Sequence, residues 1–488
     1  MTDEREDALD AMDWLLARFE EDDAVAYAEV GGVYEEKTDA VVTHEGPRDR
    51  VSFAESGVWL RTFADGAADY RYTTSLDEES LEDEAERAVR GAGMLAQSDP
   101  ARFDAHTTHR AVHEGWAGEP VGAVGVDEKV AAVEDGIAAA ENSGPDLRRV
   151  WVNYADAHVE ETVGNTTGST VRTTLDRAQV TCSLHLEGGP KVRRHAGSTE
   201  GAAFLDELPA VFESAAADAR ALSAANVADA PTGEASVALS PRAAGQLFHF
   251  VSHYLEADTG YMGMSPYAVG DRIGPEGLDI EDGVRAGSWG ARAYDAEVRP
   301  TTPTRLVDGG EVERLLHNTA SAAEDGAHPA GNAVPSLGHG QPPRIHARHL
   351  DVAAGDAGER ALRADADVYV ERFGEPWFRD EFERVQRAGV FPASVLYAKD
   401  IDRKTEERPD CGSAEFPIAE GYRLDGGERA GRVEDLSLDY DPDVLRTLSA
   451  FGAARETTTG VCEKHKSHLP FAVTAPGVRL TATLKADQ

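Results

Sequence analysis

The spacing of apolar residues along the chain changes repeatedly between helical and strand-like periods. Residues 7–21 carry apolar side chains at helical spacing, which predicts an amphipathic helix. Three short stretches that alternate between apolar and polar residues follow, near 25–30, 41–44 and 58–63. Because Gly or Asp bounds each of them, they predict strands.

A second helix is predicted to reach about Met94, because Ser75 has Glu78 three residues later, the pattern of a capping box. A stretch that contains Pro and Gly follows at 99–125 and is typical of a linker. We therefore expect a first α+β subdomain over residues 1–98.

The remaining sequence predicts two further units. Residues 126–231 open with a helical pattern, continue with strand-like runs and close with an Ala-rich helix at about 206–224, which predicts a second α+β subdomain. Residues 232–488 mix short strands and turns with few helices, which predicts a β-rich C-terminal domain. The expected fold class is α+β with several domains, and a chain of 488 residues is also too long for one core.

One helix near the middle carries candidate chemistry. Ser240 is a favourable N-cap and Pro241 suits the first helical position, so a helix is predicted to start in PRAAGQLFHFVSHYLEAD. His249 and His253 lie four residues apart, on the same side as Glu256, and two imidazoles at this spacing can bind one Zn²⁺. From spacing alone, an ordinary polar pair is the more common explanation and a metal site is the alternative.

The charge of the chain narrows its possible partners and environment. There are 89 acidic and 48 basic residues, a formal net charge of -41, spread along the whole length. Nucleic-acid binding is disfavoured, because it relies on basic contacts to phosphates. We expect instead a halophilic protein, since molar salt screens the mutual repulsion of surface carboxylates.

The cysteines and the N-terminus indicate a cytoplasmic protein. Cys182, Cys411 and Cys462 are odd in number and far apart, which favours a reducing interior over a disulfide framework. The acidic N-terminus lacks the features of a signal peptide, and no apolar run is long enough for a membrane span.

Several sequence blocks together resemble one known family. They are LFHFVSHYLEAD, MSPYAVGDRIG, IEDGVRAGSWGARAYDAE, TRLVDGGEVERLLHNTASA and GVCEKHKSHLPFAV, with ESGVWLRTFADGAADY and VGNTTGSTVRTTLDRAQVTCSLHL in the N-terminal half. In this order they are similar to the TldD/PmbA (TldD/TldE) family of cytosolic metallopeptidase-like proteins. The resemblance implies proteolysis of unstructured peptides inside a dimer, commonly a pair in which one chain carries the metal and a related chain lacks it.

The resemblance also implies that a catalytic residue is missing. The metal-bearing branch has a His-Glu-x-x-x-His helix, and His253 falls on the second histidine. In an ungapped alignment, Phe248 takes the place of the first histidine and His249 takes the place of the glutamate. In an alignment with a one-residue deletion, His249 takes the place of the first histidine and Phe250 that of the glutamate. Neither register keeps the glutamate, the general base of a zinc peptidase. His249 or Glu256 is then the remaining candidate for proton transfer.

Further site residues are implied by the family positions. Cys462 matches a metal-ligating cysteine of the C-terminal block, so the candidate zinc ligands are His249, His253 and Cys462. His465 and His468, which follow Cys462 closely, are a second possible source of ligands or part of a solvated turn.

Other matched positions fall in segments around the family's cleft. Asp282, Asn332 and Arg344 are the candidates for contact with substrate there, although scaffold roles are the more common outcome. Trp289 is expected in the core.

Three functional hypotheses follow. In the first, the chain is a divergent, weak or non-catalytic subunit that completes a heterodimer with an intact paralogue. In the second, it is an active zinc metallopeptidase with a rearranged site of His249, His253 and Cys462. In the third, it is a homodimer that binds extended peptides without cleaving them. A peptide is the expected ligand in each case, and the partner is a related subunit or a second copy.

Overall fold

The computed structural model describes residues 4–64, 67–94, 108–143, 147–186, 190–378 and 412–486. Two large sheets with helices packed against them make up these residues, which confirms the predicted α+β class. Cys411 and part of the predicted linker lie outside the described residues.

The first sheet contains seven strands. Its elements in chain order are α1 (Glu4–Glu20), β1 (Tyr27–Thr43), β2 (Gly46–Ala64), β3 (Ala67–Thr73), α2 (Glu78–Met94), β4 (Arg110–His113), α3 (Val126–Asn142), β5 (Leu147–Asn165), β6 (Thr170–Leu186), β7 (Lys191–Ser198) and α4 (Leu208–Ala224). The strand order is β3-β2-β1-β5-β6-β4, with β7 also paired to β6. Short 3₁₀ turns occupy Val121–Ala123 and Ala202–Glu207.

Two pairs of helices cover this sheet. Leu15 of α1 and Leu60 of β2 belong to one buried cluster, and Phe212 of α4 and Val180 of β6 belong to another. Strand β1 pairs with β2 on one side and β5 on the other, both antiparallel. Strands from both predicted N-terminal subdomains therefore share one sheet, and the division between them stays a prediction.

Two helix starts differ from those predicted. The α2 helix begins at Glu78, and Asp77 rather than Ser75 caps it, because Asp77 accepts hydrogen bonds from both the backbone N–H and the hydroxyl of Ser80. The Ala-rich helix begins at Leu208, after a 3₁₀ turn. For α2 the hydrogen bonds of Asp77, rather than those of the predicted cap, mark the first residue.

The second sheet contains twelve strands. The elements are β8 (Gly233–Leu239), α5 (Pro241–Ser252), α6 (Ala257–Tyr261), β9 (Ile280–Asp282), β10 (Thr304–Asp308), β11 (Glu311–Val312), α7 (Thr319–Asp325), β12 (Ala333–Val334), β13 (Arg344–Ile345), β14 (His349–Val352), α8 (Glu359–Ala364), β15 (Val368–Phe373), β16 (Trp377–Phe378), β17 (Ala414–Asp425), β18 (Glu428–Arg432), β19 (Leu436–Tyr440), β20 (Ala450–Lys464) and β21 (Ser467–Ala486). Strands β12 and β13 form a separate pair, and 3₁₀ turns occupy His253–Leu255 and Pro442–Thr447.

The long strand β21 organises this sheet. The order is β11-β10-β9-β14-β21-β19-β17-β15-β8, and β21 also pairs with β8, so five strands close into a ring. Strand β20 pairs with β21 along the hairpin that joins them, while β16 and β18 pair with β17.

Helix α5 lies against this ring, starting where the sequence predicts. The Ser240 hydroxyl accepts a hydrogen bond from the Ala243 N–H, and Pro241 takes the first position. Gly245 permits close contact with β20, because a Cβ there would lie 2.9 Å from the Thr458 hydroxyl. The α-helical turn pattern ends at Ser252 and tightens to 3₁₀ at His253.

A membrane-spanning helix is absent from the described residues, since none of their helices combines sufficient length with sufficient hydropathy.

Candidate metal centre

Four side chains that can ligate a transition metal meet at the end of α5. They are His249, His253, His346 and Cys462, and one ligand atom from each lies within 4.8 Å of the others. They come from α5, from the 3₁₀ turn after it, from the residue after β13 and from β20. The sequence predicted three of the four, and the structure brings those three together.

The helical spacing places the first two histidines side by side. The ring centroids of His249 and His253 are 4.9 Å apart. The His249 ring also stacks on Phe471 of β21, with centroids 3.5 Å apart and planes only 4° from parallel. Burial lowers the pKa of His249 to about 4, so its imidazole is neutral and keeps a lone pair for a ligand.

The neighbours of His249 point elsewhere. Phe248 is fully buried in the core, and the Phe250 ring packs against Phe416 and Tyr440 at centroid distances of 4.9 and 5.2 Å. Of these three consecutive residues, His249 is the one that faces His253. His249 is thus the residue of the three that joins the cluster, and the family position that it takes stays a prediction.

Cys462 reaches the cluster from the strand before the β20–β21 turn. Its Sγ lies 3.4 Å from Nε2 of His253. Burial alone would raise the pKa of this thiol, but the positive charge of His253 lowers it well below its usual value. The sulfur is thus held in the thiolate form that binds metals.

His346 is the residue that the sequence analysis missed. It is fully buried, and its ring centroid lies 5.5 Å from those of both His249 and His253. A two-residue strand gives too weak a periodic pattern to predict which way its neighbour points. The available signal was chemical, a histidine between Ile345 and Ala347 where apolar residues would suffice for a core.

Two charged side chains hold His253 in place. Glu256 is fully buried, and its Oε2 lies 3.1 Å from Nδ1 of His253 and accepts a hydrogen bond from Nζ of Lys464 at 2.6 Å. Lys464 also donates to Asp258 at 2.7 Å and to the backbone oxygen of Ile345 at 2.9 Å. Because Glu256 occupies Nδ1, the other nitrogen of His253 faces Cys462, as in the carboxylate–histidine pairs of metal sites.

The charges of this group are mutually dependent. Burial alone would lower the pKa of His253, but Glu256 and Cys462 raise it to about 10. Burial would raise the pKa of Glu256, but Lys464 and His253 depress it far below its usual range. Glu256 is therefore ionised, and its Oε2 contacts both His253 and Lys464. Its Oε1 is buried without a hydrogen-bond partner among the described residues. The contact with His253 supports a positioning role for Glu256.

The donor set fits a zinc ion. Within the described part of the chain, Nδ1 of His249 and both ring nitrogens of His346 are buried without a hydrogen-bond partner. Unsatisfied buried polar atoms are costly, and a ligand from outside the chain relieves that cost. A zinc ion would displace the proton that His253 carries in the metal-free cluster, because ligating histidines are neutral. Three neutral imidazoles and one thiolate supply donor atoms that suit Zn²⁺.

The predicted cleft residues Asp282, Asn332 and Arg344 are not part of the four-residue cluster. Asp282 and Asn332 are both 0 % exposed, and Nδ2 of Asn332 donates to Asp282 at 2.8 Å. Asp282 also pairs with Arg348. Arg344 lines a small cavity, and its Nε donates to the hydroxyl of Ser467 at 3.3 Å. These contacts are structural, and contact with substrate stays a prediction.

The two extra histidines of the C-terminal block are not part of the cluster. His465 and Lys466 form the tight turn between β20 and β21 with positive φ values of 50° and 67°. His468 is exposed, and its backbone N–H donates to the hydroxyl of Ser336. Of the described residues, the structure thus brings only Cys462 from this block to the imidazoles.

Comparison with known proteins agrees with the fold. Residues 232–483 match the model of the C-terminal domain of PmbA/TldA metallopeptidases. A metalloprotease from Methanothermobacter thermautotrophicus is 23 % identical over 94 % of this chain and 95 % of its own length. A metalloprotease from Synechocystis is 30 % identical over 34 % of this chain and 36 % of its own length.

Solved structures show the same architecture over nearly the whole chain. A protein from Thermotoga maritima, described as a candidate modulator of a DNA gyrase, has a TM-score of 0.72 with 16 % identity and covers 98 % of this chain and 100 % of its own. TldE from Thermococcus kodakarensis has a TM-score of 0.70 with 14 % identity and the same two coverages. Since the family model spans more than half of the chain, the protein belongs to the PmbA/TldA (TldD/PmbA) family of metallopeptidases.

Proposed function

We propose that this chain is a zinc-binding TldD/PmbA subunit that has little or no peptidase activity by itself and completes a heterodimer with a related chain whose His-Glu-x-x-x-His helix is intact. A cytoplasmic, salt-rich location and an unstructured peptide as ligand belong to the same proposal. The observation that carries it is the composition of the cluster, in which four metal-binding side chains meet. The carboxylate of Glu256 beside it is held through Oε2 by His253 and Lys464 and is not one of the four ligands.

The number of ligands argues against strong catalysis. Catalytic zinc sites use three protein ligands and keep one position open, whereas sites with four protein ligands are closed. His249, His253, His346 and Cys462 together supply four. In the alignment with a one-residue deletion, the family's glutamate position is taken by Phe250, whose ring packs among aromatic side chains in the core.

The remaining residues support binding rather than proton transfer. A bound zinc ion would supply Lewis acidity toward a peptide carbonyl. Glu256 orients His253, Lys464 neutralises Glu256 and Asp258, and Phe471 holds the plane of the His249 ring. Loss of a positioned general base typically removes about 10²–10⁴-fold of rate.

The test combines metal content with activity. The protein is purified in molar salt without added metal, and zinc per chain is measured with Cys462→Ala as the matched control. We expect close to one zinc per wild-type chain, and little cleavage of an unstructured peptide by this chain alone. Mixing with a related chain that keeps the intact helix should restore cleavage that a chelator abolishes. Strong, chelator-sensitive cleavage by the purified chain alone would contradict the proposal.

A second candidate is an active peptidase in which His249, His253 and Cys462 bind the metal and His346 accepts the proton. It is favoured by one observation, that neither ring nitrogen of His346 has a hydrogen-bond partner among the described residues. The His346→Ala variant separates the two. Loss of zinc identifies His346 as a ligand, whereas retained zinc with loss of an existing cleavage activity identifies it as the base.

A further inference from the structure

A second site lies between the first sheet and the C-terminal half of the chain. It is a cavity of about 150 Å³ lined by Arg177 and Gln179 of β6, by Trp289 and Arg292, and by the loop 335–339. The Trp289 ring forms one apolar wall and lies under the guanidinium of Arg177, whose Cζ is 5.7 Å from the ring centroid.

Arg177 is exceptional among the buried arginines. Its side chain is only 6 % exposed, yet it forms no hydrogen bond or ion pair with a described residue, and its Nη1 is buried without a partner. Three other buried arginines all have carboxylate partners, namely Arg61 with Glu29 and Glu297, Arg194 with Asp218 and Glu420, and Arg348 with Asp282. A buried charge without a partner is strongly disfavoured in a folded chain.

The neighbouring carboxylates are already engaged. Glu161 pairs with Arg292 and accepts a hydrogen bond from Trp59, and Glu35 pairs with Lys37. Both carboxylates are buried and act on Arg177 through their charge, but neither forms an ion pair with it.

The other acidic residues on the cavity wall do not form an ion pair with Arg177 either. Asp156 pairs with Lys129, and Asp39 is exposed to solvent. Burial, together with the charge of Arg292, lowers the pKa of Arg177 to about 9, and the negative charges of Glu161 and Glu35 offset this only in part. One unpaired cation in a small cavity matches a monovalent anion.

The cavity wall and the metal centre both contact β20. Nε1 of Trp289 donates to the backbone oxygen of Gly460 at 2.9 Å. Gly460 pairs with Phe471, the residue that stacks on His249, and lies two residues before Cys462. Two residues of strand span only about 7 Å, so the cavity and the cluster are close enough for one short peptide.

We propose that this cavity binds the free C-terminal carboxylate of an extended peptide, with Arg177 as its ion-pair partner. The proposal rests on the proposed function in that it assumes a peptide ligand. A bidentate pair between a guanidinium and a carboxylate supplies the missing counter-charge, and the wall formed by Trp289 accommodates a small apolar last residue.

Binding of labelled pentaalanine to the full chain in molar salt tests this inference. The peptide carries an N-terminal fluorophore, and it is used as the free acid, as the C-terminal amide, and as an amide with one internal aspartate. Loss of a charged hydrogen bond weakens binding about 10- to 100-fold, so wild type should prefer the free acid over the simple amide by that factor. Arg177→Gln should remove the preference, and Arg172→Gln, which removes an exposed arginine of the same strand, should keep it.

Thermal unfolding provides a second readout. Because Arg177→Gln removes an unpaired buried charge, the variant without peptide should unfold at a higher temperature than wild type. The free-acid peptide should raise the Tm of wild type more than the amide does, and this comparison requires no variant.

Three results would overturn the inference: equal binding of acid and amide by wild type, a preference that persists in Arg177→Gln, or equally tight binding of the amide with an internal aspartate. Zinc content is measured in the same samples and should not change in Arg177→Gln. Absence of zinc from wild type would contradict the proposed function while leaving the acid-over-amide comparison intact.

Discussion

Two buried polar regions of the C-terminal half differ in how completely the chain satisfies them. The Arg348 guanidinium donates five hydrogen bonds, two to Asp282 and three to the backbone oxygens of Ala330, Gly331 and Thr302. At the metal centre, by contrast, three ring nitrogens of His249 and His346 have no hydrogen-bond partner within the described residues.

This difference separates scaffold from site. A buried group whose hydrogen bonds all end within the chain holds elements together, and Asp282 does so for β9, β14 and the segment at 330–332. Buried groups without partners that converge on one point, as at the metal centre, indicate a ligand that the chain alone does not contain. The comparison predicts that changes in the first region alter stability and that changes in the second alter metal binding.

The largest effect is expected from Asp282→Ala. The substitution leaves the Arg348 guanidinium buried without its carboxylate, and breaking such a pair costs about 3–5 kcal/mol. Denaturant unfolding in molar salt should show this loss, while Asp308→Ala, which removes an exposed partner of Arg305, should change stability little. Equal stability of the two variants would contradict a scaffold role for Asp282.

Removal of a predicted ligand should lower the affinity for zinc rather than the stability of the fold. Cys462→Ala is expected to weaken zinc binding by more than about 100-fold, the upper range for residues that only support a ligand. Competition with a chelating dye measures this affinity, and far-ultraviolet circular dichroism checks that the fold is retained. Wild-type affinity in the variant would exclude Cys462 as a ligand.

A smaller loss of zinc affinity is expected from Glu256→Gln. The amide keeps the size of the side chain but removes the charge that orients His253, so affinity should fall about 10- to 100-fold. The matched control is Glu463→Gln, which neutralises an exposed carboxylate next to Cys462. If both substitutions lower affinity equally, net charge rather than orientation of His253 is responsible.

The smallest effect is expected from Ser240→Ala. Loss of the cap on α5 should cost about 1 kcal/mol of stability, because the Ala243 N–H loses its partner. Zinc per chain should stay at the wild-type value, since His249 and His253 lie at the other end of the helix. A loss of zinc without a loss of stability would show that the cap controls the site directly.

The sequence could predict those features that depend on local patterns. Ser240 and Pro241 determined where α5 begins, and the four-residue spacing placed His249 and His253 on one side. The position of His346 depends on where the short β12–β13 pair lies, which no local periodicity encodes. The environment of Arg177 was equally unpredictable, because only tertiary packing shows that the carboxylates near this arginine pair with other side chains.

X-ray absorption at the zinc edge, on wild-type protein purified in molar salt without added metal, tests the central claim most directly. We predict bound zinc with one sulfur ligand at about 2.3 Å and imidazole nitrogens at about 2.0–2.1 Å. Protein that contains no zinc, or zinc without a sulfur ligand, would contradict the assignment of the cluster as a metal site.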